Sequence, residues 1–196
     1  MSGEKSEGLL KDKDIREPLF DWLEERYGRI RILEEKVIGR VRADVVMVTP
    51  ELLYGIEIKS DADTYARLAK QVKYYNWYYD RNIIVIGSKH ALHVKEHVPG
   101  WWGIISVEVD EKGCFDFYVV REAAENPRVK DARKITILWR NELAAIQKRN
   151  RLPKYTNKSK DQICKLLLER VPPETLWPQA WEELFERDYS VYEEKE

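Results

Sequence analysis

The chain has 196 residues, 43% hydrophobic and 35% charged, with a formal net charge of −1, which is room for one α/β domain of about 120 residues and a smaller addition. The longest apolar runs, such as Ile83–Ile86, have strand length, which excludes a membrane-spanning helix, and the polar stretch Met1–Lys13 lacks the apolar core of a secretory signal. The two cysteines, Cys114 and Cys164, lie far apart at no metal-binding spacing, so the expectation is a soluble cytoplasmic protein with free thiols.

In chain order, Asp14 followed by Glu17 has the form of a capping box. Behind it Ile15, Leu19, Trp22, Leu23 and Tyr27 share one helical face up to Gly28, which predicts a first helix over 14–27. Residues 33–38 read as a first strand. Val41, Ala43, Val45 and Met47 alternate with Arg40, Arg42, Asp44 and Val46 as a second. After the turn at Thr49–Leu52, Tyr54, Ile56 and Ile58 alternate with Gly55, Glu57 and Lys59 as a third. N-cap candidates at Ser60–Asp63 open a helix to about Asp80, with Ala62, Tyr65, Ala69, Val72 and Tyr79 as its apolar stripe. Asn82–Gly87 is a buried strand, 89–98 a brief helix, and Gly103–Val109 and Phe115–Val120 two further strands. A polar loop over 121–134 precedes helices near 135–149, 159–170 and 174–188; the tail Tyr189–Glu196 is expected to fray. The fold class is therefore α/β: an αβββαβ core with a mixed sheet over residues 1–127, and a helical appendage over 128–196.

Charge is unevenly placed. Residues 1–127 hold 19 basic and 23 acidic side chains, residues 128–170 hold 13 and 4, and residues 171–196 hold 2 and 8. The basic block is either a polyanion-binding surface or the neutralising partner of the acidic tail.

The hairpin Arg40–Lys59 carries the chemistry. If Val48 and Leu53 close its loop, Asp44 stands directly across from Glu57, with Lys59 on the same face. Facing carboxylates repel unless a cation intervenes, and Mg²⁺ takes one or two carboxylates and completes its shell with water. A metal, two carboxylates and an ammonium suit phosphodiester hydrolysis. The bland alternative is a solvated strand face with Asp44 paired to Arg42 or Lys59. Against it, Glu57 and Lys59 close an otherwise apolar strand, a costly place for idle charges.

These residues, on a hairpin between two helices, resemble the PD-(D/E)XK, or restriction-endonuclease-like, nuclease superfamily, over roughly residues 14–109. The segment Tyr54-Gly55-Ile56-Glu57-Ile58-Lys59-Ser60 is especially similar to small bacterial and phage members; Ala43, not proline, precedes Asp44. The resemblance implies a restriction-endonuclease-like core and a Mg²⁺- or Mn²⁺-dependent nuclease acting on DNA, less often RNA. It implies Asp44 and Glu57 as metal ligands, the Ile58 carbonyl as a third, and Lys59 as the group that orients the water and stabilises the transition state. Gln71-Val72-Lys73-Tyr74 is similar to the Gln-x-x-Tyr element of the RecB-like branch, which makes Gln71 either a water or substrate binder or a half-buried amide satisfied by main chain. Helix one often adds an acidic ligand in this superfamily; Glu17 is the candidate, with the capping box as its competing role.

Arg67, Lys70 and Lys73 on the helix after the third strand, and Lys158 and Lys160 at the start of a later helix, are the candidate phosphate contacts. His93-Val94-Lys95-Glu96-His97 has the letters of a zinc-protease motif, but on a short segment ended by Pro99-Gly100. The aromatics Tyr74, Tyr75, Trp77, Tyr78 and Tyr79 are core, base-stacking or partner groups. A nucleic-acid-binding module that does not cut, or that needs a partner, stands as the second expectation, and a homodimer or protein partner is left open.

Overall fold

The hydrophobic spacing of the first helix decides which side of the sheet it covers. Residues 10–90 and 93–187 are described by a computed structural model. Helix α1 (Asp12–Tyr27) buries Ile15, Leu19 and Leu23, one stripe at four-residue spacing, and ends at Gly28 with φ 72. Its start corrects the expected capping box. The Asp14 carboxylate accepts the Lys11 amide at 3.2 Å, so the helix opens at Asp12 rather than Asp14, and Glu17 sits exposed one turn further along.

Strands β1 (Arg31–Ile38), β2 (Val41–Val48) and β3 (Leu53–Lys59) form an antiparallel meander. Gly39 turns β1 into β2 at φ 61 with the Tyr74 ring against it, a place with no room for a side chain. The β2–β3 register runs from Val48↔Leu53 to Val45↔Ile56, as the alternation requires. Helix α2 (Leu68–Tyr78) carries the chain to β4 (Arg81–Gly87), parallel to β3. Strand β5 (Gly103–Val109) is parallel to β4, and β6 (Phe115–Arg121) returns antiparallel, so the six strands lie in sequence order. Every residue of β3 is buried, because helices cover both faces of the sheet.

The expected helix over 62–80 is shorter and rotated. Asp63 Oδ2 accepts both the amide and the hydroxyl of Ser60, at 2.9 and 2.7 Å, which holds Ser60–Asp63 in a turn. A 3₁₀ turn at Tyr65–Arg67 follows before α2 begins. The buried residues of α2 are Leu68, Tyr75, Asn76 and Tyr78, while Ala62 and Ala69 are exposed. Similarly, among the described residues of the expected helix over 89–98, only Val94–His97 is α-helical, as α3.

Helix α1 packs with Val45, Met47, Ile56, Ile58, Ile83 and Val85 on one face. On the other, α2 is joined by α4 (Asp131–Lys134), α5 (Arg140–Arg149), α6 (Lys160–Arg170) and α7 (Pro173–Phe185). Leu143, Ile146, Ile163, Leu167, Leu176 and Leu184 share one core with Val46, Val48, Leu53 and Ile84, so the appendage is a layer over the sheet. Two corrections fall here: the expected loop over 121–134 contains α4, and α7 stops at Phe185, short of 188. The expectation for Tyr189–Glu196 lies outside the described residues. A buried ion pair, Arg187 on Glu142 at 2.6 and 2.8 Å, fastens the end of this layer. Among the described residues, no helix is long and apolar enough to cross a membrane.

Candidate active site

Asp44 stands where the sheet lets go of its hydrogen bonds. The β2–β3 ladder ends at Val45↔Ile56, and one residue beyond it the Asp44 carboxylate accepts the Ile58 amide at 2.8 Å, replacing a backbone acceptor. On the β1 side, pairing is continuous on either side of Asp44 but skips it. The residue opposite, Glu35, has φ 52, a left-handed conformation that costs a side-chain-bearing residue on the order of 1–3 kcal/mol.

Into this opening α2 inserts Tyr75. Its hydroxyl accepts the Asp44 amide at 3.2 Å and donates to Glu57 Oε2 at 2.7 Å; Ile56 O, at 3.3 Å, is the weaker acceptor. The other Glu57 oxygen, Oε1, receives both Lys59 Nζ and Gln71 Nε2. Glu57 is fully buried and Lys59 is 4% exposed. The expected triad therefore converges, and Gln71 binds Glu57 itself rather than main chain. The tyrosine of the site is Tyr75, four residues after Gln71, not Tyr74, which packs on Gly39. Helical spacing carries the signal: i and i+4 share a face, whereas i+3 here turns toward the hairpin tip.

Burial pushes the Asp44 carboxyl up to about 7, reinforced by the Glu57 charge and opposed by the Ile58 amide and Lys59. Glu57 is also raised, by burial first, with Lys59, Tyr75 and Gln71 pulling the other way. Burial likewise holds the Tyr75 phenol well above its ordinary range, so it remains a donor.

Asp44, Glu57, Ile58, Lys59 and Gln71 line one cavity of about 560 Å³. Its walls hold cations that the sequence reading passed over, Arg16, Arg40 and Arg42, together with the expected Arg67 and Lys70. Helix α1 contributes Asp12 and Arg16. Glu17 instead lines a separate groove with Trp22 and Phe117, because it lies on a different side of the helix. Asp12 and Arg16, four residues apart, share one face of a helix that begins at Asp12. Lys73 is exposed on α2, its ammonium over the Trp77 ring.

Some cations of the basic block are engaged within the fold, while others, among them Arg133, Lys148, Arg151 and Lys154, are exposed. Lys160 donates to Thr136 O at 2.7 Å, Lys134 binds Asp80 at 2.7 Å, and Arg149 pairs with Glu182 and Glu183 of α7. Lys158 lies near the Tyr155 ring. Of the zinc-protease letters, His93, Glu96 and His97 are exposed.

The residues present fit a hard divalent cation. Among the described residues, no group of three or more His, Cys, Asp and Glu side chains is arranged to hold a metal, so a cation here would rest on Asp44 and Glu57 and complete its shell with water, the habit of Mg²⁺. Asp44 is a half-buried carboxylate without an ion-paired side chain among the described residues, and the buried Gln71 Oε1 has no hydrogen-bond partner among them. Both are groups that a hydrated cation would satisfy.

Comparison with known proteins assigns the chain to a family. The model of the family described as bacteriophage P4 protein cII matches residues 5–191. The chain belongs to that family. No curated protein and no solved structure matches it. The matched span of the P4 cII family includes both the hairpin with Asp44 and Glu57 and the covering helices through α7.

Proposed function

We propose that this member of the P4 cII family is a metal-dependent nuclease that hydrolyses phosphodiester bonds in DNA. One observation carries the reading: Asp44, Glu57 and Lys59 meet at a single cavity whose walls also carry Arg40, Arg42, Arg67 and Lys70. The core order αβββαβ is compatible with a restriction-endonuclease-like fold, which belongs to the same proposal.

Asp44 and Glu57 would hold Mg²⁺ or Mn²⁺, with the Ile58 carbonyl as a further oxygen, and the ion when bound supplies Lewis acidity and a more acidic water. The chain's own residues do the rest. Tyr75 and Gln71 fix the Glu57 carboxylate from both sides. Lys59 presents its ammonium to the phosphate and to the charge that grows on it. The wall cations receive neighbouring phosphates and set the register of the strand. The two free cysteines support a reducing cytoplasm as the place of action.

A second reading, a nucleic-acid-binding module that does not cut, draws on one feature: Lys59 and Gln71 already satisfy Glu57 Oε1. Incubation with plasmid and oligonucleotide DNA in Mg²⁺ or Mn²⁺ separates the two. Nicking or shortening that Glu57→Gln abolishes supports the nuclease; metal-independent binding without any cleavage supports the module.

A further inference from the structure

Helix α2 leaves the cavity with a face that the catalytic groups do not use. Its buried residues are Leu68, Tyr75, Asn76 and Tyr78, and its sequence holds no acidic residue. Lys70 and Lys73 are exposed, and Tyr74 and Trp77 are half-buried, at the three- and four-residue spacings of one helix side. Tyr74 starts this side next to the cavity, since its ring packs on Gly39, whose neighbour Arg40 lines the wall. Trp77 follows, its ring centroid 5.2 Å from that of Tyr74.

Residues 124–130 run back along the end of α2 and add cations to it. The Ala124 amide donates to Trp101 O at 2.9 Å and the Lys130 amide to Trp77 O at 3.1 Å. Between them the buried Asn126 donates from Nδ2 to Asn76 O and Tyr79 O, at 3.0 and 2.7 Å. These bonds place Lys130 Nζ 4.9 Å from the Trp77 ring centre and Arg128 Cζ 5.2 Å from that of Trp101. Lys73 Nζ lies 5.3 Å from the Trp77 centre, and the Trp101 ring is held beside α2 by Nε1, 3.4 Å from Asn76 Oδ1. The salt bridges of this region are those of Lys134, to Asp80 and Asp131, and leave Lys73, Arg128 and Lys130 without an ion-pair partner among the described residues. Glu125, exposed, is the one acid of residues 124–130.

In a duplex the base faces lie on each other, and a side chain meets only edges and phosphates. An unpaired base offers its face, and every base stacks on an aromatic ring while lysine and arginine follow the backbone. A base on a ring is worth more than an exposed cation–π contact, so the ammonium groups over Trp77 yield the ring to a base and turn to phosphate. Resting on the nuclease reading for what stands at its end, we propose that Tyr74, Trp77 and Trp101, with Lys73, Arg128 and Lys130, form a track that carries single-stranded DNA to the cavity. The strand that reaches Asp44 and Glu57 is unpaired.

The test is fluorescence anisotropy of a labelled strand of about 15 nucleotides, alone and annealed to its complement, with the full chain in metal-free buffer. Wild type should bind the single strand at least about 10-fold more tightly than the duplex, with quenching of tryptophan fluorescence. Trp77→Ala and Trp101→Ala should each weaken single-strand binding about 10-fold and leave duplex binding unchanged, whereas Trp77→Phe, which keeps a ring, should stay near wild type. Melting curves establish that each variant is folded. Arg128→Glu with Lys130→Glu changes exposed side chains alone and should weaken single-strand binding at least as much. Equal affinity of wild type for the two forms would overturn the inference, as would single-strand affinity unchanged in the double glutamate variant and in every folded Trp77 variant. Addition of Mn²⁺ then reads the nuclease separately. Cleavage without a single-strand preference removes the track and leaves the nuclease reading; the preference without cleavage leaves the track and removes the nuclease.

Discussion

The carboxylate of Asp44 accepts the backbone amide of Ile58 at 2.8 Å, one residue past the point where β2 and β3 stop pairing. A side chain thereby finishes a ladder that the backbone leaves open. The same contact presents Asp44 beside Glu57, whose charge adds to the burial that raises the Asp44 carboxyl.

That coupling gives a pH dependence with a definite sign. A carboxyl whose folded pKa is raised binds more protons in the folded state, so stability falls as pH rises between the unfolded and folded values. For Asp44 that window runs from about 4 to about 7. In metal-free buffer the wild type should lose on the order of 2–4 kcal/mol across it by chemical denaturation. Asp44→Asn should lose markedly less and be the more stable protein at pH 8. Parallel curves for the two proteins would show that Asp44 ionises normally.

Metal should reverse this penalty. Millimolar Mg²⁺ or Mn²⁺ at pH 8 should raise the melting temperature of the wild type, and Glu57→Gln should show a much smaller rise. Equal rises in both would place the bound ion away from Glu57.

Tyr75 links the pair from below. Tyr75→Phe leaves the Asp44 amide without its acceptor and takes one donor from Glu57. The cost should be about 1–3 kcal/mol in denaturant unfolding. DNA affinity should change little, because Tyr75 is fully buried. A loss of affinity as large as the loss of stability would mean that the tyrosine shapes the binding surface.

The strand alternation made the register of the hairpin legible, and with it the meeting of Asp44, Glu57 and Lys59, because side chains of period two can face only one way once a loop is fixed. The position of Gln71 was legible for the same reason on a helix. The part played by Tyr75 was not legible, since five aromatics in six positions give the sequence no contrast. Asp12 was not legible as the helix-one carboxylate at the cavity, because the start of α1 is set by the Asp14 side chain reaching back to Lys11, a contact that periodicity does not encode. Arg40 and Arg42 belong to the strand alternation, Arg42 also as an alternative partner of Asp44, and their place at the cavity, with Arg42 paired to Glu35, is a tertiary feature. The engagement of Lys160 and Arg149 was not legible, because their acceptors, Thr136 O and Glu183, are tertiary neighbours.

DNA contact should accordingly follow the cavity walls. Replacing Arg67 and Lys70 with alanine should flatten the dependence of log affinity on log salt by about 0.9 for each lost phosphate contact. Lys160→Ala should leave that slope unchanged and instead lower stability by about 1 kcal/mol, through the lost bond to Thr136. A flattened slope for Lys158→Ala with Lys160→Ala, and none for Arg67 and Lys70, would move the DNA path onto the appendage.

Single-turnover cleavage of saturating end-labelled DNA, with Mn²⁺ present, tests the catalytic role of the hairpin most directly, because binding and chemistry are then separated. Wild type should cleave, while Glu57→Gln and Lys59→Met should bind the DNA yet cleave it at least about 100-fold more slowly. Cleavage by wild type that survives both substitutions, or DNA that wild type binds and never cuts with any divalent ion, would contradict the account.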